Sequence, residues 1–144
     1  MRVVIQRVSK ASCDVDGKII SEISQGLVVF TCFEIGDNSE TIEKAIYKIS
    51  NLRIFEGDDG KMNHSIVDIK GELLHISQFT LSWDGRKGHR PSFERSMPAR
   101  EANLKYELMT RQLSDLVSVK KGRFGADMKV NLINDGPVTI LLDF

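Results

Sequence analysis

The sequence is short of several features that would point to particular functions. Acidic and basic residues number 20 each, so the formal net charge is zero and no surplus of positive charge marks a general nucleic-acid binder. Only two cysteines are present, Cys13 and Cys32, and their separation fits neither a CxxC pair nor a zinc cluster. We therefore expect no metal and no cofactor, and we expect both thiols to be reduced, small apolar residues in strands.

Long apolar runs are absent as well. No segment reaches the ~18 residues needed to span a bilayer, and the N-terminal residues lack the apolar region of a signal peptide. These absences predict a cytoplasmic protein without membrane contact. With 144 residues, of which 41% are hydrophobic and 28% charged, the chain is expected to form a single domain over residues 1–144. We expect no DNA partner, and any RNA contact must come from local basic patches.

Hydrophobic periodicity predicts two helices and seven or more strands. Asp37 and Glu40 occupy the positions of a helix cap and its capping-box partner, and apolar residues follow at helical spacing. A longer helix is expected at about residues 98–116, with Pro98 in its first turn. Strands are predicted at residues 2–8, 11–16, 18–23, 26–33, 53–55, 72–79, 117–121, 128–133 and 138–143.

This combination predicts a mixed α/β fold in which a mostly antiparallel β-sandwich or barrel-like core is covered by two helices. The apolar stripe of the long helix is expected to face that core rather than a partner. The stripe consists of Ala99, Ala102, Tyr106, Met109, Leu113 and Leu116.

Near the C-terminus, two apolar runs flank Asn134-Asp135-Gly136-Pro137. Locally this pattern predicts a strand, a sharp turn and a second strand, as in a hairpin loop. Proline has no N–H to give to a sheet, so Gly136 and Pro137 are expected at a turn or a sheet edge.

A second informative stretch, residues 74–81, predicts a buried strand that runs into a cluster of hydroxyl and amide side chains. No histidine stands in an HxxxH pair or beside a GxSxG motif, so no Ser-His-Asp set can be nominated. His75 lies on the apolar strand and fits a structural hydrogen bond better than a catalytic role. The usual signs of a strong general base are therefore missing.

Ser77-Gln78-Phe79-Thr80-Leu81 and Asn134-Asp135-Gly136-Pro137-Val138-Thr139 together resemble the two signature motifs of the D-aminoacyl-tRNA deacylase family, long called D-tyrosyl-tRNA deacylase. Other segments resemble the family in the same order, so the resemblance covers essentially the whole chain. These segments are residues 5–8, 53–55, 60–63, 90–93, 122–124 and 126–128. Gly125 departs from the pattern, since alanine is expected there.

The resemblance implies a three-layer α/β/β fold, a homodimer, and hydrolysis of the ester bond in D-aminoacyl-tRNA and in glycyl-tRNA. It assigns catalysis to Ser77, Gln78, Phe79 and Thr80. Backbone N–H groups at the start of residues 78–80 would bind the developing oxyanion. Thr80 has two possible roles: a nucleophile, which needs a nearby base, or a group that positions substrate while the ribose 2′-hydroxyl or a water acts. The absence of a nameable base favours positioning.

By the same resemblance, Gly136 and Pro137, joined by a cis bond, enter the partner subunit's active site and select chirality by steric collision with an L side chain. Arg7, Phe124, Met128 and Thr139 are then substrate-pocket residues. From sequence alone, however, Phe124 is better interpreted as an ordinary core aromatic, and Arg7 is equally a surface strand residue.

Basic residues are by default a solvated surface, but the resemblance implies that some of them meet the phosphates and terminal adenosine of the tRNA acceptor end. The residues predicted for this contact are Lys87, Arg90, Pro91, Ser92 and Phe93. Other basic or titratable candidates are Arg86, His89, Arg95, Lys120, Lys121 and Arg123.

Two other functions remain open at this stage. The animal-type relative that removes L-alanine from the wrong tRNA shares the fold, but it changes the Ser77–Thr80 motif, which is intact here. A non-catalytic RNA-binding module, like the related editing-type domain attached to a synthetase, is disfavoured because both motifs are whole.

Overall fold

In the computed structural model, which describes residues 1–86 and 88–144, the fold is organised around one long strand, β1 (Arg2–Val15). Residues at alternate positions, such as Val3 and Ile5, are fully buried, as expected for a strand with one face on the core. Sequence patterning predicted two strands here, because the polar residues near position 9 interrupt the apolar alternation. The structure continues β1 through them.

Seven further strands and two helices complete the described part of the chain. The strands are β2 (Lys18–Ile23), β3 (Gly26–Cys32), β4 (Phe55–Glu56), β5 (Met62–His64), β6 (Glu72–Ser77), β7 (Ser118–Lys121) and β8 (Lys129–Asp143). The helices are α1 (Ser39–Asn51) and α2 (Ala99–Ser114), and a short 3-10 helix spans Phe79–Ser82.

The sheet curls into a nearly closed barrel. β8 pairs antiparallel with β1 along its whole length, while the other edge of β1 pairs first with β3 and then with β2. β6 and β7 extend the sheet beyond β3 in parallel. The Ser24 N–H donates to Glu72 Oε2 (2.7 Å), which ties the end of β2 to the start of β6. The prediction of a mixed α/β domain with a barrel-like core and two helices is confirmed.

The two helices cover one face of this sheet and share a core with it. Tyr106, Met109 and Leu113 of α2 are fully buried, as the apolar stripe predicted. Leu116 is instead 49% exposed, because α2 ends at Ser114 and the chain turns away. Neither α1 nor α2 is long and apolar enough to cross a membrane, and the same holds for every helix in residues 1–86 and 88–144.

The cap of α1 differs from the prediction by one residue. Asn38 is the cap, and its Oδ1 accepts from the Thr41 N–H at 3.0 Å. The Asp37 carboxylate binds other groups instead: it accepts hydrogen bonds from the Met1 amino group (2.9 Å) and from the Glu34 N–H (2.7 Å). A carboxylate that neutralises a buried ammonium is unavailable to cap a helix.

Residues 129–143 do not form the hairpin that their local pattern predicted. Both halves pair with β1 in the same antiparallel direction, Asn134 with Val8 and Thr139 with Gln6. Four residues of β8 therefore stand opposite Arg7 alone, as a large bulge. We call residues 135–138 the β8 bulge. Pairing with the long strand β1 determines the path of both halves of β8. The Asn-Asp-Gly-Pro sequence indicates only where the chain departs from regular pairing.

Candidate active site

A cavity of about 440 Å³ opens where the parallel strands β3 and β6 end. Its walls come from the last residues of these strands, from the beginning of α2, and from the loop after β7. The lining residues are Thr31, Cys32, Phe33, Ser77, Gln78, Phe79, Phe93, Ser96, Met97, Ala99, Ala102, Phe124 and Gly125. Both the volume and the largely apolar lining are typical of sites for small ligands.

The segment Ser77–Thr80 forms one rim of this cavity. β6 ends at Ser77, and the Gln78 N–H donates to the carbonyl of Thr31 (2.8 Å), which fixes the exit of the chain against β3. The 3-10 helix then begins at Phe79. Gln78 Nε2 donates to Thr80 Oγ1 at 2.6 Å, so the Thr80 hydroxyl proton is free to point towards a ligand.

Backbone donors are available at this rim, although not all of those expected. The Gln78 N–H is occupied by Thr31, which removes it from the predicted oxyanion donors. Within the described residues, the N–H groups of Phe79 and Thr80 have no hydrogen-bond partner. Two adjacent free N–H groups can stabilise an oxygen that gains negative charge during acyl transfer.

Aromatic rings shape the mouth of the cavity. Phe79, which is 58% exposed, meets Phe93 edge-to-face with ring centroids 5.0 Å apart. On the other side Phe124 lies 5.7 Å from the ring of Tyr106. Phe124 is therefore both a partly buried core residue and a cavity wall, so the two sequence interpretations of it describe the same position.

His75 lies directly behind the cavity and is structural. It is fully buried, with Nδ1 2.8 Å from Thr110 Oγ1 and Nε2 3.0 Å from Thr31 Oγ1. Thr110 donates its own proton to the carbonyl of Tyr106, so Nδ1 carries the imidazole proton and Nε2 accepts from Thr31. Burial, with a smaller contribution from Lys121, lowers the pKa of His75 to about 3. A neutral imidazole with both nitrogens engaged has no free site for catalysis.

None of the described residues that line the cavity is an acid, a histidine, a lysine or an arginine. Cys32 is the sole titratable group among them, and burial together with the nearby Glu34 carboxylate raises the pKa of its thiol. The cavity can thus bind, orient and polarise a carbonyl group. It offers no strong base of its own.

The β8 bulge lies opposite Arg7, within the first half of β1, and contributes no residue to the cavity lining. The Arg7 guanidinium, which is buried, donates to the carbonyls of Asp135 (2.9 Å) and Ile54. The Asn134 side chain closes the bulge, accepting from the Val138 N–H (2.8 Å) and donating to the Val138 carbonyl (3.1 Å). The Gly136-Pro137 peptide bond is cis. Arg7 thus supports the bulge rather than the cavity of the same chain.

The structure therefore brings together only some of the sequence-predicted site residues. Ser77, Gln78, Phe79, Phe93 and Phe124 line the cavity, and Thr80 is bonded to Gln78 at its rim. The other predicted residues lie elsewhere. Four of them lie at or beside the β8 bulge: Arg7, Gly136, Pro137 and Thr139. Met128 packs against the barrel interior. Of the residues predicted to contact tRNA, Arg90 and Pro91 are exposed, Ser92 lines a shallow surface pocket, and Lys87 is outside the described residues.

Sequence reasoning missed several residues that the structure places at the site. Thr31 and Cys32 end a strand that runs parallel to β6. The carboxyl ends of parallel strands lie at the same edge of a sheet. The nearly continuous apolar run of β3 is typical of a parallel strand and could therefore have indicated that its end lies beside Ser77. Arg2 was missed altogether: its Nη1 donates to the carbonyls of Leu81 (3.0 Å) and Trp83 (3.1 Å) at the end of the 3-10 helix.

Comparisons with known proteins agree with the resemblance carried by the two sequence motifs. The sequence profile described as D-Tyr-tRNA(Tyr) deacylase matches residues 4–143. A solved structure named c-Myc DNA Unwinding Element Binding Protein is 40% identical and superimposes with a TM-score of 0.96, covering 100% of this chain and 99% of its own. A structure of a probable eukaryotic D-amino acid tRNA deacylase, 17% identical, has a TM-score of 0.82 over 99% and 98% of the two chains and shows the same fold.

Proposed function

This chain belongs to the D-Tyr-tRNA(Tyr) deacylase family, and from that premise we propose that it frees D-amino acids and glycine from tRNA while rejecting L-aminoacyl-tRNA through a backbone filter at Gly136 and Pro137. Family membership makes the protein a hydrolase of the aminoacyl-tRNA ester bond that serves proofreading. The glycyl activity, the filter, a homodimer and a cytoplasmic location are parts of the proposal.

The pair of free N–H groups at Phe79 and Thr80, at the rim of an apolar cavity, is the observation that carries the proposal. An ester between an amino acid and tRNA is already activated and carries a neighbouring ribose 2′-hydroxyl. A site that orients the carbonyl and binds its oxygen can therefore accelerate hydrolysis without a strong base. Each such donor typically lowers the barrier by about 3 kcal/mol.

Selection against L-amino acids is assigned to the β8 bulge of a second copy of the chain. No residue of β8 lines the cavity of its own chain, which favours an action of the bulge on the cavity of a second copy. β8 offers a surface for that assembly, because its second edge has no strand partner among the described residues, and Ile133 (61%) and Leu141 (64%) are exposed. A backbone segment facing the substrate α-carbon collides with an L side chain and leaves room for a D side chain or for glycine.

The deciding experiment compares hydrolysis of D-Tyr-tRNA and L-Tyr-tRNA by the purified protein in EDTA. The proposal expects rapid loss of the D ester alone, followed by a positive test on Gly-tRNA. Cleavage of L-Ala-tRNA but not of D-Tyr-tRNA would favour the animal-type relative. Failure on all four substrates would favour a non-catalytic RNA-binding module. Binding to single-stranded DNA is the further control suggested by the name of the 40% identical structure.

Thr80→Ala should retain substantial activity, with kcat within about tenfold of the wild type, since loss of a positioning hydrogen bond costs roughly 0.5–1.5 kcal/mol. The described part of the cavity lining offers no strong base to take a proton from Thr80, which disfavours a nucleophilic role. Single-turnover hydrolysis of D-Tyr-tRNA measures the effect. Complete loss in a variant with unchanged unfolding free energy would establish Thr80 as the nucleophile.

Arg2→Lys should lower kcat about tenfold with little change in KM, because a lysine cannot reproduce two hydrogen bonds to the end of the 3-10 helix. Trp83, the sole tryptophan of the sequence, accepts one of these bonds, so its fluorescence emission should shift in parallel. Arg86→Lys is the matched control, since Arg86 is exposed and its guanidinium lies 3.7 Å from the Asp84 carboxylate rather than on the 3-10 helix. A shifted emission with unchanged kcat would remove the positioning role of Arg2.

A further inference from the structure

A second concavity, of about 590 Å³, adjoins the active-site cavity and shares Phe124 with it. It is bounded by β2, α2, β7 and the loop that follows β7. We call it the basic groove. Its charged lining residues are Glu107, Lys120, Lys121 and Arg123, and Ile20 and Phe124 are among its apolar ones.

Two of the three cations in the basic groove are available to a ligand. Lys121 Nζ contacts both carboxylate oxygens of Glu107, at 2.7 and 2.6 Å, so its charge is largely neutralised. Lys120 is exposed and has no carboxylate partner in the described part of the chain. The carboxylate nearest to Arg123 is that of Asp16, at 3.9 Å and 87% exposed, and such a pair is weak in water.

The loop that carries Arg123 and Phe124 is held in place from both sides. The Gly122 N–H donates to the carbonyl of His75 (2.9 Å), and the Ala126 N–H donates to the carbonyl of Arg123 (3.2 Å). A Cβ on Gly122 would lie 2.6 Å from Met128 Sδ, so the backbone is packed against the barrel without spare room. The cation and the cavity wall are thus fixed relative to each other.

The chemistry of the substrate requires an anion-binding surface close to the cavity. The ester is carried by the terminal ribose, whose 5′ oxygen bears a phosphate, so the RNA strand must leave the cavity past one of its walls. A competing exit lies beside Trp83, but among the described residues its charged lining consists of two cations, Arg86 and Arg95, and two acids, Asp84 and Glu94, which sum to no net charge. The basic groove keeps uncancelled positive charge.

We propose that the basic groove binds phosphodiester groups of the single-stranded 3′ end of tRNA, with Lys120 and Arg123 as the contacts. This inference rests on the proposed function and adds a binding site to it. Phosphate contacts of this kind position a strand without reading its bases, so the groove would accept tRNAs regardless of their amino acid.

The test uses the double variant Lys120→Gln, Arg123→Gln and two probes. One probe is D-Tyr-tRNA, and the other is the D-tyrosyl ester of adenosine, which has no phosphate. We expect KM for D-Tyr-tRNA to rise about tenfold at 50 mM salt, and kcat/KM for the adenosine ester to stay within about twofold. The matched control is Lys48→Gln, Lys70→Gln, which removes two exposed lysines outside the groove and should change neither value.

A direct binding measurement accompanies the kinetics. The probe is an RNA hairpin that carries no amino acid and ends in single-stranded CCA. Its binding is measured by fluorescence anisotropy between 50 and 200 mM salt. Two lost phosphate contacts should weaken binding and reduce the slope of log K against log salt by about 1.4. An unchanged slope, or an equal loss on both ester substrates, overturns the groove proposal. If the wild type cleaves neither ester, the proposed function has failed, while the anisotropy slope still decides whether the groove binds RNA.

Discussion

Replacing Gly136 with alanine should reduce the hydrolysis of D-Tyr-tRNA by about 100-fold and weaken discrimination against the L ester, since a shift of about 1 Å in a positioning group can cost that much. Gly136 has φ +136°, which L side chains rarely adopt. An added Cβ would lie 2.7 Å from Val138 Cγ2 and 3.0 Å from Arg7 Nη2. The β8 bulge must therefore move, and with it the proposed filter.

The measurement is kcat/KM on D-Tyr-tRNA and L-Tyr-tRNA for the variant and the wild type. Gly60→Ala is the matched control: its φ of +72° is also positive, but nothing lies within 4 Å of the added Cβ. This control should lose stability and keep both activity and selectivity. Unchanged D/L selectivity in Gly136→Ala would refute the assignment of the filter to this glycine.

A mixing experiment tests whether the bulge acts across a dimer. Ala102→Phe places a ring in the cavity that Ala102 lines and should block that site. Coexpressed with Gly136→Ala, it should restore about a quarter of wild-type activity, because half of the dimers are mixed and each holds one intact cavity facing one intact bulge. Activity no higher than that of the separate variants would show that the bulge does not act in trans.

Acidification from pH 7.5 to 5.0 should lower the free energy of unfolding by about 2 kcal/mol through His75 alone. Its pKa is about 3 in the folded chain, mainly because of burial, against an ordinary value of 6.5. Between these values the unfolded chain binds the proton and the folded chain does not. The stabilisation is therefore complete above pH 6.5 and is lost progressively as the pH falls towards 3.

Urea unfolding at a series of pH values measures this effect. In His75→Gln, the free energy of unfolding should depend much less on pH between 7.5 and 5.0. His64→Gln is the control, since His64 is only half-buried. If the His75 variant is too unstable to study, NMR of the wild type decides the question. The His75 ring signals should not titrate between pH 5 and 8, and a midpoint near 6.5 would contradict the buried, neutral imidazole.

Much of the fold was accessible from sequence because its cues are local. The periods of two and 3.6 residues predicted both helices and the strands of the main sheet but missed β5 (Met62–His64), and the apolar stripe of α2 named Tyr106, Met109 and Leu113, all of which are buried. Other errors occurred where distant partners decide the outcome. Met1 removes Asp37 from its capping role, and pairing with β1 converts an expected hairpin at residues 134–137 into a bulge.

The sequence by itself determined the family and the rim of the active site, because Ser77–Thr80 is one continuous segment whose hydroxyl, amide and N–H groups need no distant residue to be recognised. Tertiary structure alone decided which N–H groups are free, since Thr31 on a neighbouring strand occupies that of Gln78. It also separated the two motifs, placing the β8 bulge on Arg7 and away from the cavity of the same chain. Pairing and burial join residues far apart in the chain, so no local pattern encodes them.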